Sequence, residues 1–150
     1  MILGFQKVIG YFDVKTSPVY FHAQKSKSHT AANTVVPFEI LRLNLGGGMS
    51  TSGIFTAPKS GKYYFTCSGL SEHNVHVRVE LQVKTDTADW TRVGQGFTAH
   101  AHAGYLVQTT LELAKGNQMR LMLLEGQIFD NGQTLHTNFV GYLLNEDIVE

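Results

Sequence analysis

Two histidines separated by one residue, His100 and His102, have the type and spacing best suited to chemistry in this chain. They lie in the alanine-rich segment Phe97–Gly104. If this segment is extended, both imidazoles point to one side, because side chains alternate along an extended backbone. Imidazole binds Zn²⁺, Cu²⁺ and Ni²⁺ and titrates near pH 6.5, so the pair predicts a metal site or a proton-sensitive site. The alternative is a pair of solvated loop histidines.

The other reactive side chains form no catalytic pattern. No serine occupies a Gly-x-Ser-x-Gly motif. The segment Gly94-Gln-Gly96 lies in a strand-rich region without a following helix, which is the wrong setting for a phosphate-binding loop. His73 and His76 do not have the spacing of a zinc motif and are interpreted as surface residues. We therefore expect a protein that is not an enzyme.

Trp90 and Arg92 form a second candidate site for binding. They follow the predicted turn Thr85–Asp89. An aromatic platform beside a cation is a common device of protein recognition, so the two residues predict a ligand contact. The alternative is a tryptophan that packs against the core or its rim.

Composition excludes several classes of function. The chain has 12 Lys and Arg against 12 Asp and Glu, and it carries no basic block of the kind that binds a phosphate backbone. Its single cysteine, Cys67, allows no intrachain disulfide and is interpreted as a buried small hydrophobe. The alternatives for Cys67 are an interchain disulfide or a reactive thiol.

The N-terminal residues Met1–Lys7 do not resemble a signal peptide, because Gln6 and Lys7 interrupt a short apolar stretch. The chain also has no run near the roughly 20 apolar residues of a membrane-spanning helix. We expect either an intracellular chain or a mature piece of a longer one.

The elements that must position these residues are strands. Apolar residues occupy every odd position of the segment Val75–Lys84, a pattern typical of a strand with one buried face. Closely spaced turn signals, including Gly46-Gly47-Gly48 and Pro58–Gly61, separate similar runs. This pattern predicts an all-β sandwich or barrel. We expect one domain over 18–150, preceded by an arm, a short stalk or an extra strand over 1–17.

Three late segments carry apolar residues on both faces: Tyr105–Val107, Met119–Leu124 and Val140–Leu144. A strand that is buried on both sides needs a second layer to cover it. In a two-sheet domain that layer is predicted to be another subunit. The alternative is a set of turns folded over one sheet.

Three segments in order resemble the globular C1q domain: Phe38-x5-Asn44, Gly53-Ile-Phe-Thr-Ala-Pro-Lys-Ser-Gly-Lys-Tyr-Tyr-Phe65 and Phe139-Val-Gly-Tyr-Leu-Leu144. The resemblance extends over about Pro18 to Ile148. The chain differs from the family pattern at two places. Gly48 and Met49 replace an aromatic residue or leucine, with spacing one residue short, and Cys67 replaces an aromatic residue. Both differences are changes of size at predicted core positions.

The resemblance implies an all-β, ten-stranded jelly-roll β-sandwich of the C1q and tumour-necrosis-factor type, assembled as a homotrimer. It implies a secreted recognition module that binds carbohydrate, lipid, a microbial surface or protein, as in innate immunity or extracellular signalling. The chain has no Gly-X-Y repeat, so it is similar to the stalkless C1q-like proteins. The alternatives are a structural trimerisation or matrix-assembly domain without a soluble ligand, and a cytokine-like receptor ligand.

The resemblance also bears on metal binding. Some relatives bind Ca²⁺ through acidic residues in the loop that corresponds to Phe97–Gly104, but here that loop has no carboxylate. Because Ca²⁺ takes six to eight oxygen ligands, we do not expect the family's calcium site. Other oxygen donors are available in predicted turns, where the alternative is a role in turn geometry. They are Asp86, Asp89, Asp130 and Asn131.

A threefold axis would bring six imidazoles together from three copies of His100 and His102. The trimer interface itself is predicted from residues on the second faces of the strands. These are Tyr64, Tyr105, Leu106 and Tyr142.

Overall fold

A computed structural model describes residues 17–100 and 102–148 of this chain. No helix occurs within those two ranges. The expected N-terminal arm lies almost wholly outside the described residues. The strands are Tyr20–Gln24 (β1), Lys27–His29 (β2), Thr34–Val35 (β3), Ile40–Leu45 (β4), Phe55–Thr56 (β5), Gly61–Ser71 (β6), Val77–Lys84 (β7), Thr91–Phe97 (β8), Gly104–Leu113 (β9), Gln118–Gly126 (β10), Ile128–Asn131 (β11) and Asn138–Glu146 (β12).

The strands form two antiparallel sheets. The seven-stranded sheet has the order β2-β11-β6-β12-β1-β4. The remaining strand, β9, pairs with the edge of β6 that lies opposite β12. The five-stranded sheet has the order β3-β10-β7-β8, and β5 pairs with β10. Consecutive strands of the chain therefore often lie in different sheets, which closes a sandwich around one core.

Aromatic side chains fill the centre of the sandwich. The Phe21 ring lies 5.0 Å from the rings of both Phe55 and Phe139, measured between centroids. Phe55 in turn contacts Phe65 edge-on at 5.6 Å. All four side chains are buried, so these rings carry much of the apolar area removed from water on folding. Strand alternation places them inside, as the sequence predicts.

The glycines of the C1q-like segments give these rings room. A Cβ on Gly141 would lie 2.6 Å from ring carbons of Phe21 and Phe65, closer than real Cβ contacts come. Gly53 has φ of +93°, and a Cβ there would lie 2.1 Å from the carbonyl oxygen of Val36. Glycine alone tolerates both the left-handed backbone and the close approach. These glycines are therefore required by the fold.

The departures from the family pattern also lie in the core. A Cβ on Gly48 would meet the Phe55 ring at 2.5 Å, and Met49 is buried beside it. Cys67 is fully buried, and burial raises the pKa of its thiol well above the ordinary value. Its interpretation as a small core hydrophobe agrees with this position.

The strand predicted over Val75–Lys84 is observed as β7, which begins two residues later, at Val77. Three short strands, β2, β3 and β11, have no alternation that predicts them. Each spans only two to four residues, too few for a period-two pattern to become visible in the sequence. Asn44, at the end of β4, closes the following turn by a pair of hydrogen bonds to the backbone of Met49, at 2.9 and 3.1 Å.

Candidate functional site

The side of the seven-stranded sheet that points away from the core is here called the aromatic face. Alternation along the strands turns its side chains outward, opposite the buried phenylalanines. All exposed large hydrophobic side chains of the described residues except Phe97 and Ile148 lie on this face. They are Tyr20, Leu43, Leu45, Leu106, Tyr142 and Leu144.

Contacts within the aromatic face hold its side chains in place. The rings of Tyr64 and Tyr142 lie 5.3 Å apart, and the Tyr64 hydroxyl donates to Oε1 of Gln108 at 2.8 Å. A cavity of about 390 Å³ opens where Tyr20 and Leu144 border the face. The face therefore combines exposed apolar side chains with polar side chains that pair with one another.

Tyr64, Leu106 and Tyr142 lie on the aromatic face, where the sequence analysis placed them. Tyr105 does not, and that part of the prediction is wrong. Its side chain is only 4% exposed and points into the sandwich. Along β9 it shares the buried parity of Val107, whereas Leu106 between them is 61% exposed.

The Tyr105 ring lies over Gly69, where an added Cβ would come within 2.4 Å of the hydroxyl oxygen. That hydroxyl has no hydrogen-bond partner among the described residues. Burial raises the pKa of Tyr105 well above its ordinary value. Tyr105 is therefore a core residue whose hydroxyl has no partner among the described residues, and it does not lie on the aromatic face.

The outward side of the five-stranded sheet is here called the charged face. Arg92 donates to Oε2 of Glu80 at 3.0 Å, and Gln82 donates to the other oxygen of the same carboxylate at 2.9 Å. Arg120 donates to Gln82 at 2.8 Å and places its guanidinium 4.0 Å from the centre of the Trp90 ring. These contacts form a continuous polar ladder over three strands.

The ladder separates the two residues of the predicted ligand-contact pair. Arg120, rather than Arg92, covers the Trp90 ring, and Arg92 is held by Glu80. Trp90 is half-buried under this cation. A shared platform of Trp90 and Arg92 is therefore not formed in the structure, and a ligand contact by either residue stays a prediction.

Five of the seven histidines gather at one end of the sandwich, here called the histidine end. Strand pairing brings them together. The amide of Ser71 at the end of β6 donates to the carbonyl of Ala103 just before β9, at 3.0 Å. Likewise the Thr98 amide after β8 donates to the carbonyl of Val77 at 2.9 Å. The five are His73, His76, His100, His102 and His136.

The two predicted metal ligands have different neighbours. The His100 ring lies 4.8 Å from the ring of His76. The His102 ring lies 5.5 Å from His73 and stacks on Phe129 at 5.0 Å with an interplanar angle of 22°. Within the described part of the chain, no three His, Cys, Asp or Glu side chains are placed to hold a metal ion together.

Sequence reasoning treated His76 as an isolated surface residue and missed its pairing with His100. The signal was the hairpin of β7 and β8, in which Arg78 pairs with Phe97. Extending that register by two residues places His76 opposite Ala99, next to His100. The pairing of β7 with β8 in the hairpin therefore predicts this pair of histidines, whereas spacing along the chain does not.

Asp130, one of the oxygen donors considered for calcium, is used by the backbone. It is 3% exposed, and its carboxylate accepts from the amides of Asn131, Thr137 and His136 at 2.8, 2.7 and 3.2 Å. These bonds shape the turn before β12. The contacts of Asp130 therefore agree with a role in turn geometry, the alternative to calcium binding.

A sequence profile of the C1q domain matches residues 19–144 of this chain. The chain belongs to the C1q domain family. Human complement C1q tumor necrosis factor-related protein 3 is 29% identical over 134 residues, which cover 85% of this chain and 52% of that protein. The chain thus spans about half the length of the curated relatives it matches.

Solved structures agree on the fold. The globular domain of zebrafish complement 1qA has a TM-score of 0.67 at 16% identity and covers 86% of this chain and 99% of its own. Murine APRIL has a TM-score of 0.66 at 10% identity, with 85% and 99% covered. The jelly-roll β-sandwich predicted from the sequence is therefore confirmed. The described residues include no helix long and apolar enough to cross a membrane.

Proposed function

We propose that this chain is a secreted, non-enzymatic recognition module of the C1q type that acts as a homotrimer. The observation that carries the proposal is the aromatic face. An apolar surface formed by Tyr20, Leu106, Tyr142 and their neighbours across several strands is unusual on a monomer and marks an interaction site.

Another copy of this chain is the partner that fits this face. The face covers the sheet of β9, β6, β12, β1 and β4, so one copy can present β9 at one side and β4 at the other. Such a contact joins two different edges of the same surface, and three of them close a ring around a threefold axis. The charged face remains in water.

The loops at the ends of the strands are then available for ligands, because loops on a rigid scaffold carry most binding functions. Three identical sites on one trimer raise the avidity for a repetitive surface even when each site binds weakly. The names of the curated relatives include complement C1q and tumor necrosis factor, which supports an extracellular recognition role.

The first test is the mass of the native protein in solution. Light scattering is expected to give three times the protomer mass of 16.6 kDa. A mass equal to one protomer at micromolar concentration contradicts the trimer.

The second test addresses recognition. The trimer is expected to bind a glycan array or lipid vesicles, more tightly as the density of the immobilised ligand rises. Binding to neither surface, together with an intact trimer, supports the structural assembly function instead. Saturable binding to a cell-surface protein with no glycan or lipid binding supports the cytokine-like function.

A further inference from the structure

We infer that His76 and His100 form a two-imidazole site for a transition-metal cation such as Zn²⁺, Ni²⁺ or Cu²⁺ at the histidine end. The pair lies within one protomer, so the site does not depend on the proposed trimer. It replaces the pair of His100 and His102 expected from spacing alone.

The separation of the two rings fits one shared metal. With metal–nitrogen bonds of about 2.0–2.1 Å, two imidazole centroids stand roughly 4.5 Å apart at a 90° angle and roughly 5.2 Å apart at a tetrahedral angle. The centroids of His76 and His100 are 4.8 Å apart, between these two values. The pair therefore suits the angles preferred by Ni²⁺ or Cu²⁺ and by Zn²⁺.

Glu125 prepares His76 as a ligand. The Nε2 atom of His76 lies 2.8 Å from Oε1 of Glu125. An ionised carboxylate only accepts hydrogen bonds, so Nε2 carries the proton and, in the neutral ring, Nδ1 keeps a free lone pair. Metal-binding histidines in proteins almost always donate their second ring nitrogen to such a partner.

Glu125 itself is held by a second contact. Arg78 donates from Nε to Oε2 of Glu125 at 2.8 Å. Arg78 thus orients the carboxylate from the oxygen that His76 does not use.

The other histidine pair at this end fits less well. The rings of His73 and His102 are 5.5 Å apart, wider than the roughly 5.2 Å of an ideal tetrahedral pair. The His102 ring also lies flat against Phe129, and this stacking would be lost if the ring turned toward a metal. His100, by contrast, is exposed and free to turn toward His76.

Two imidazoles leave the remaining coordination positions to water or to donor atoms of another molecule. A metal held in this way at a loop end can accept a carboxylate or an imidazole from a bound partner. The binding chemistry is therefore that of an open, surface metal site rather than a closed structural one.

The test is calorimetric titration of the purified protein with ZnCl₂ and with NiCl₂. We expect one metal ion per protomer, and we expect His100→Ala to remove measurable binding. Because His100 is exposed, that variant folds normally, and an unchanged melting temperature checks it. His76→Ala is expected to give the same loss. Glu125→Gln is expected to weaken binding about 10- to 100-fold.

His102→Ala and His136→Ala are the matched controls and are expected to retain wild-type affinity. Three outcomes overturn the inference: absence of binding by the wild-type protein, equal loss in His102→Ala and His100→Ala, or one metal ion per three chains. The last outcome would assign the metal to a shared site on a threefold axis.

Discussion

The aromatic face and the charged face are built from the same kind of antiparallel strand but end in opposite chemistry. On the charged face, Arg92 donates a hydrogen bond to Glu80, and Arg120 donates one to Gln82. On the aromatic face, the side chains of Leu106 and Leu144 are more than half exposed. The charged face pairs its charges internally, whereas the aromatic face leaves large apolar side chains exposed.

This difference shows that the burial of one side of a strand does not determine the polarity of the side chains on the other side. Both sheets contribute alternating residues to the same core of phenylalanines and aliphatic side chains. What separates them is the outward set of residues, which the core does not constrain. Selection for assembly can therefore act on one face without disturbing the packing beneath it.

The largest expected effect comes from placing a charge on each face. Tyr142→Glu puts a carboxylate into the proposed interface, where burial of an unpaired charge costs several kcal/mol. We expect the mass measured by light scattering to fall to that of one protomer. The matched control is Phe97→Glu, an exposed aromatic residue on the five-stranded sheet, which is expected to stay trimeric. If both variants keep the trimer, the two faces do not differ as we propose.

A smaller effect is expected on stability, where breaking a buried ion pair should cost more than breaking an exposed pair of the charged face. Lys25 is 1% exposed and its Nζ lies 2.9 Å from Oε2 of Glu39. Glu39→Gln leaves this buried ammonium group with neutral acceptors only, the amide oxygen of the new side chain and the carbonyl of Pro37. We expect a loss of about 3 kcal/mol, the low end of the range because Glu39 is partly exposed. Arg92→Ala, in an exposed pair, is expected to cost less than about 1 kcal/mol. Urea unfolding measures both.

The pH dependence provides an independent check on the Lys25–Glu39 pair. Burial acts to raise the pKa of Glu39, but the hydrogen bond from the Ser26 amide and the ammonium group of Lys25 outweigh it and lower the pKa below 4.5. The stabilisation is therefore full above pH 4.5 and is lost as the pH falls through the lower, folded-state pKa. Glu39→Gln is expected to lose less stability than the wild-type protein over that acidic interval. Parallel curves for the two proteins contradict this assignment.

The smallest expected effect is on stability and tests whether Tyr105 lies outside the aromatic face. Tyr105→Phe removes a buried hydroxyl that has no partner among the described residues, so we expect the protein to gain about 1 kcal/mol of stability. The trimer is expected to be unchanged, because Tyr105 lies inside the sandwich. A marked loss of stability would show that the hydroxyl has a partner, and a loss of the trimer would return Tyr105 to the interface.

Much of the fold was predictable because alternation is a local property. The odd residues of Val75–Lys84 alternate with polar neighbours one position away, and this pattern is visible in the sequence without knowledge of the fold. The same rule, extended from Val107 to Tyr105, places Tyr105 inside, whereas we predicted it on the second face of the strand. That error came from counting apolar residues on a segment without following their parity.

The candidate sites were predictable only in part. His100 was singled out by its spacing from His102, yet its neighbour in space is His76. Trp90 was singled out with Arg92, yet Arg120 from β10 covers its ring. In both cases the true neighbour comes from another strand or loop, and spacing along the chain does not report it.

By itself the sequence determined an all-β domain and its buried strand faces, because these follow from periodicity and turn signals. Its resemblance to the C1q domain came from three motif segments in order, which the family profile then matched. Only the tertiary structure decided which histidines meet, which cation covers Trp90 and which face of which sheet remains uncovered. These depend on strand order and register across the sandwich. Register is fixed by the packing of the whole core, so contacts between distant segments emerge only when that core is assembled.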